Sequence, residues 1–182
     1  VYDLDDRYRV GSSPVLLTGV QAIARQLVEQ HARDLRSGRR TATFVSGYQG
    51  SPLGGVDRML LGMPTLLTEH DITFVPGMNE ELAATSVWGS QADLPLGNAT
   101  HDGVVGVWYG KGPGVDRSAD ALKHANAAGT SQYGGVLALA GDDHGCQSST
   151  LAHQSEQIFQ AAMMPILNPA TVQEYLDFGV YG

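Results

Sequence analysis

The sequence predicts one α/β domain, a mainly parallel sheet with helices on both faces. Three observations carry that expectation. Short apolar runs rich in β-branched residues alternate with helix-period stretches along all 182 residues. The runs are continuously apolar rather than alternating, which suits strands buried on both faces and joined by right-handed crossovers. No repeat, low-complexity tract or linker interrupts the alternation, so residues 1–182 read as a single domain.

In order along the chain, residues 1–12 (VYDLDDRYRVGS) are polar and read as an arm that docks on a neighbour or is loosely held. Val20, Ile23, Ala24, Leu27, Val28 and His31 fall on one helix face, and Ser37-Gly38 supplies the stop. Thr43–Ser46 is the first strand. A helix over Val56–Leu67 follows, interrupted by Pro64, which lacks the N–H a helix interior needs. Ile72–Val75 is a strand, and Asn79 caps a helix reaching Ala92. Strands at Val104–Trp108, Val136–Ala140 and Pro165–Leu167 alternate with helices at Asp116–Ala128, Leu151–Met163 and Thr171–Phe178.

Composition narrows the function. Eleven Lys and Arg against nineteen Asp and Glu leave a formal charge of −8, which argues against a nucleic-acid groove or an anionic membrane as partner. No apolar run approaches the ~20 residues of a membrane span, and the chain reads as soluble and cytoplasmic. Cys146 is the single cysteine, so this chain alone holds no internal disulfide and no four-cysteine metal or iron–sulfur site. Charged residues make up only 16%, and 23 glycines are present, a balance that suits a surface covered by other protein.

Ligands of such sheets sit off the carboxyl ends of the strands, which directs attention to four loops. SGYQGSPLGGVD, Ser46 to Asp57, offers close backbone approach and the Ser51 hydroxyl, but neither dinucleotide nor P-loop glycine spacing. Taken alone it is a turn with a helix cap. In PGMNEELAATSVWGSQ, Asn79, Glu80 and Glu81 open a helix. Acids there ordinarily satisfy the helix dipole at a surface. Ala83, Ala84, Ser86 and Gly89 make this helix slim enough to be covered, so one acid can exchange a proton with a ligand. WYGKGPGVDRSADALKHANAAG carries Lys111 and Arg117, which suit an anionic substrate or simply a solvated loop. AGDDHGCQSSTLAHQSE brings Asp142, Asp143, His144 and His153 together in sequence, without the spacing that establishes a metal site. Cys146 has only His144 as a nearby base and reads as unreactive.

The strings GYQGSP, NEELAA, WYGKGPGVDRSADALKHANAAGT and GGVLALAGDDHGCQSSTLAHQSE, in this order, resemble the pyrimidine-binding domain of 2-oxoacid:ferredoxin oxidoreductases, and most closely the indolepyruvate branch. The resemblance runs from about Pro14 to Gly182. It implies the thiamine diphosphate-binding fold, with a cofactor shared between this domain and a diphosphate-binding domain or subunit. It implies that Glu80 hydrogen-bonds the aminopyrimidine N1′, activating the cofactor for oxidative decarboxylation of a 2-oxo acid. By the same resemblance Gln49, Gly50, Ser51 and Pro52 lie against the cofactor, with Gln49 where relatives often have proline, and Lys111 neutralises the substrate carboxylate; Arg117 is a second substrate candidate from its place near a helix start. Magnesium, iron–sulfur clusters and the contacts to ferredoxin and coenzyme A are implied on other domains, no metal ligand is assigned here, and a homodimer is implied. Gly141-Asp142-Asp143 followed by Asn168-Pro169 departs from the family's diphosphate motif at two positions, which sets the chain on the pyrimidine side. Two other readings stand beside this one: a nucleotide-binding Rossmann-like module, and a non-catalytic assembly domain of the same shape.

Overall fold

The computed structural model describes residues 3–11, 14–92 and 99–182. Strands β1 (Thr41–Gly47), β2 (Ile72–Phe74), β3 (Gly103–Lys111) and β4 (Gly135–Gly141) form one all-parallel sheet in the order β2-β1-β3-β4. The α/β class is therefore as the sequence predicts, with four strands among the described residues in place of the five expected. Pro165–Leu167 forms no strand. Pro165 has no N–H to donate to a ladder, and a cleft separates the segment from β4.

Helices cover both faces. On one, α1 (Gly19–Arg36) and α2 (Val56–Leu61) contribute Ile23, Leu27, Val56 and Leu60 to a core with Val45, Val107 and Tyr109 of the strands. On the other, α4 (Glu80–Gly89), α5 (Gly112–Arg117), α6 (Ala119–Ala128) and α7 (Glu156–Ala161) pack Ala83, Val87, Val115, Leu122 and Phe159 around Trp108. The alternation of Val107 and Tyr109 against Trp108 is the period-two geometry of a strand with two dry faces. A short helix α3 (Pro64–Glu69) precedes β2, and α8 (Val172–Tyr181) packs beside α1.

Local chemistry explains where elements begin and break. Thr18 and Gln21 form a capping box on α1, which buries Ile23, Ala24, Leu27, Val28 and His31 of the predicted face, leaves Val20 half-buried, and buries Ala22, Arg25 and Gln26 besides. The predicted helix over residues 56–67 is divided at Gly62-Met63, with Pro64 in the first turn of α3, where its missing N–H costs nothing. The helix expected from residue 116 instead starts at Gly112 and divides at Ser118 into α5 and α6. The helix expected from residue 151 starts at Glu156, because Asp142 ties down Ser155 ahead of it. Of the predicted arm, residues 1, 2 and 12 lie outside the described residues. Leu4–Tyr8 is a 3-10 turn, and Arg25 of α1 donates to the carbonyls of Asp6 and Arg7 beneath it. No helix among the described residues is long and apolar enough to cross a membrane.

Candidate functional site

Four parallel strands deliver four loops to one edge of the sheet, and named contacts join those loops. The Gly77 N–H, after β2, donates to the Gly47 carbonyl at 2.8 Å, and the Tyr48 N–H, after β1, donates to the Tyr109 carbonyl at 3.1 Å. Lys111, at the end of β3, reaches the loop after β4, donating to the Ser148 carbonyl at 2.8 Å and to its hydroxyl at 3.0 Å. Pro52 and Leu53 fill the space where a side chain at Gly141 would stand. Residues far apart in sequence thus become one surface.

Glu80 is the first residue of α4 and is half-buried. Three features fix it there. The Asn79 side chain caps the helix, accepting from the Leu82 N–H at 2.8 Å. The buried Trp108 indole Nε1–H donates to the Glu80 carbonyl at 2.9 Å. The side chain then lies against bare backbone, since a Cβ on Gly114 would come 2.4 Å from Glu80 Cγ and 2.8 Å from its Oε1. Its carboxylate accepts no hydrogen bond from any described residue. Glu81, the other candidate acid, is exposed.

Among the described residues, none of the other predicted site residues hydrogen-bonds to Glu80. Gly50 approaches the Lys111 stem, Gln49 and Ser51 are exposed, and Ser51-Pro52 is a cis peptide. Lys111 is largely covered, held by Ser148 and lying 3.8 Å from Asp143. Arg117 is exposed in the last turn of α5. Asp142 and Asp143 serve the loop. Asp142 accepts from the Ser155 N–H at 2.7 Å and hydroxyl at 2.6 Å. Asp143 accepts from the N–H groups of Ser148 and Gln147 and from the Ser148 hydroxyl, which hold its carboxyl down at about 2. His153 Nε2 lies 3.1 Å from Asp116, tying the same loop to α5. No group of three or more His, Cys, Asp or Glu among the described residues converges as a metal site.

Sequence reasoning missed two supports. The one local signal for helix α5, which carries Gly114, was Pro113, a residue favoured in a helix's first turn. The Tyr109 hydroxyl donates to Asp57 at 2.6 Å, and burial first, then this bond, pushes its pKa up. That pair locks α2 to β3 beneath the first loop, and nothing local in sequence announces it. Around the site the surface is apolar and open: Val75, Leu82 and Met78, the last 86% exposed.

The chain matches no family model, no curated protein and no solved structure.

Proposed function

We propose that this chain is the pyrimidine-side domain of a cytoplasmic thiamine diphosphate-dependent 2-oxoacid:ferredoxin oxidoreductase of the indolepyruvate type. One observation carries the reading: Glu80 presents a carboxylate with no partner among the described residues, at the carboxyl edge of a parallel sheet, against the glycine backbone of α5. Bare glycine backbone beside an unpaired carboxylate suits a heterocycle whose ring nitrogen must share a proton.

The residues present fit that group in chemistry. Glu80 would hold the pyrimidine nitrogen, with Gly50 and Ser51 of the first loop beside the ring. When bound, the cofactor would supply a carbon acid whose deprotonated form is the nucleophile toward the 2-oxo acid. Glu80 holds and returns the proton at the ring nitrogen, a general acid–base role. Trp108 and Asn79 keep it in place by fixing the helix turn it stands on. Lys111 offers a cation toward a substrate carboxylate, once it leaves Ser148.

The partner half belongs to the same proposal. Diphosphate, magnesium and the iron–sulfur clusters fall to other domains, as do ferredoxin and coenzyme A. The exposed rim of Val75, Met78 and Leu82 would be covered by the diphosphate domain, excluding water from Glu80. That rim equally suits a non-catalytic assembly domain, and the unpaired carboxylate favours the catalytic reading over it.

The test is Glu80→Gln in the assembled enzyme. A general acid–base group is worth ~10²–10⁴-fold, so 2-oxo-acid-dependent reduction of an electron acceptor should fall by at least about 10²-fold with the circular dichroism spectrum unchanged. Near-normal turnover removes Glu80 from the mechanism.

A further inference from the structure

We propose that His153 is a pH-sensitive clasp: its doubly protonated ring fastens the loop after β4 to α5, and loss of one proton loosens the helix that seats Glu80. The clasp stands without the thiamine reading. Its effect on catalysis rests on that reading, and makes His153 a positioning residue for Glu80.

The first observation is what the two ring nitrogens face. Nε2 lies 3.1 Å from an Asp116 carboxylate oxygen, and Nδ1 lies 3.2 Å from the Leu151 carbonyl oxygen. Both neighbours are acceptors. A neutral imidazole carries one N–H, so it meets one of them and turns a lone pair on the other, whereas the imidazolium donates to both. Asp116 accepts a side-chain hydrogen bond from no other described residue. Its carboxylate therefore depends on this ring.

The second observation is where the clasp grips. Helix α5 has six residues, two of them glycines and one a proline, and no side-chain cap at its start. Propensity alone does not hold it. The loop after β4 ties it near both ends. At the start, the N-cap Lys111 donates to Ser148 and lies 3.8 Å from Asp143; near the other end, Asp116 meets His153. The packing between is close, since a Cβ on Gly112 would come 2.5 Å from His153 Cβ and 2.9 Å from Asp142 Oδ1. Gly114 stands midway between the two ties, against the Glu80 side chain. Whatever loosens α5 loosens the wall on which that carboxylate rests.

The third observation is that just one tie titrates near neutrality. The charged and titratable groups around the ring are Asp116 from α5, Asp142 from the end of β4 and His144 from the same loop, with Glu156 opening α7 three residues further on. Asp142 is engaged by the Ser155 N–H and hydroxyl. His144 donates from Nδ1 to the His153 carbonyl, a bond that its Nδ1–H tautomer and its cation make alike. At the Lys111 tie, hydrogen bonds hold the Asp143 carboxyl down at about 2, so it stays charged. The His153 tie differs, because histidine changes charge between about pH 5 and about pH 8. The contact is complete while the ring carries both protons and weakens as rising pH removes one.

The experiment follows amide exchange of Val115, Asp116 and Arg117 in the full 182-residue chain, corrected for the intrinsic effect of pH. From about pH 5 to about pH 8, protection of these amides should fall by about twofold to fivefold, the range an exposed ion pair supports, while the amides of β1 and β3 hold. His153→Gln and Asp116→Asn keep hydrogen-bonding side chains that do not titrate, and each should abolish this dependence. In the assembled enzyme, the pH profile of kcat for His153→Gln should lack a limb that the native profile has. Constant protection across the interval, or the same pH dependence in both variants, overturns the clasp. A clasp that titrates in the chain while native and His153→Gln enzymes share one kcat profile overturns the positioning role. Near-normal turnover of Glu80→Gln tells against the thiamine reading and leaves the exchange measurement to decide the clasp.

Discussion

Gly114 decides where Glu80 points. Any side chain at position 114 would occupy the space of the Glu80 Cγ and Oε1 atoms, so the glycine matters for what it leaves empty. The consequence separates stability from function. Gly114→Ala replaces a helical glycine, a change that by itself favours the helix by roughly 0.5–1 kcal/mol. That gain is opposed by the overlap at Glu80 Cγ, so the thermal midpoint should hold or fall slightly, while on the proposed function the assembled enzyme should lose activity because the carboxylate is pushed aside. A variant with full activity would show that Glu80 is free to act from another rotamer. In sequence, Glu80 was legible as an acid opening a helix, but Gly114 was just one of many glycines. Only the crossing of two chain segments makes it particular.

At the scale of elements, α4 is where local signals and tertiary contacts agree. Asn79 reads as an N-cap from sequence and caps in fact. Asn79→Ala should cost about 1 kcal/mol, the usual worth of such a cap, and should raise exchange rates of the first-turn amides before those of the sheet. Equal loosening of both would mean the cap supports the whole fold and not the turn beneath Glu80. Helix α1 was equally legible, because its stripe and its stop are written within its own residues. Helix α5 and the start of α7 were not. The first begins in a run of glycines that propensity disfavours, and is held by Val115 packing into the core. The second is delayed by Asp142, thirteen residues upstream of Ser155. Pro165–Leu167 has the apolar run of a strand but lies across a cleft from β4 without pairing to it.

Across the whole molecule, the loop after β4 links the site to acid stability. Hydrogen bonds from Ser148 and Gln147 lower the Asp143 carboxyl from 3.8 to about 2. The unfolded chain therefore binds this proton first as pH falls, so the group's contribution is complete above 3.8 and lost as pH drops through about 2. Asp143→Ala should flatten the dependence of stability on pH within that window and leave its course near neutrality unaltered in shape. An unchanged acid limb, followed by chemical denaturation at successive pH values, would refute the linkage. The sequence by itself determined the α/β class, the helix stripe of α1, the cap of α4 and the acid that opens it, because each depends on neighbours a few residues away. The tertiary structure alone decided the strand order, the glycine facing Glu80, the hold of Ser148 on Lys111 and the place of β4 at the end of that order. Those depend on which distant segments meet, and a strand's composition tells what it must bury without telling what arrives to cover it.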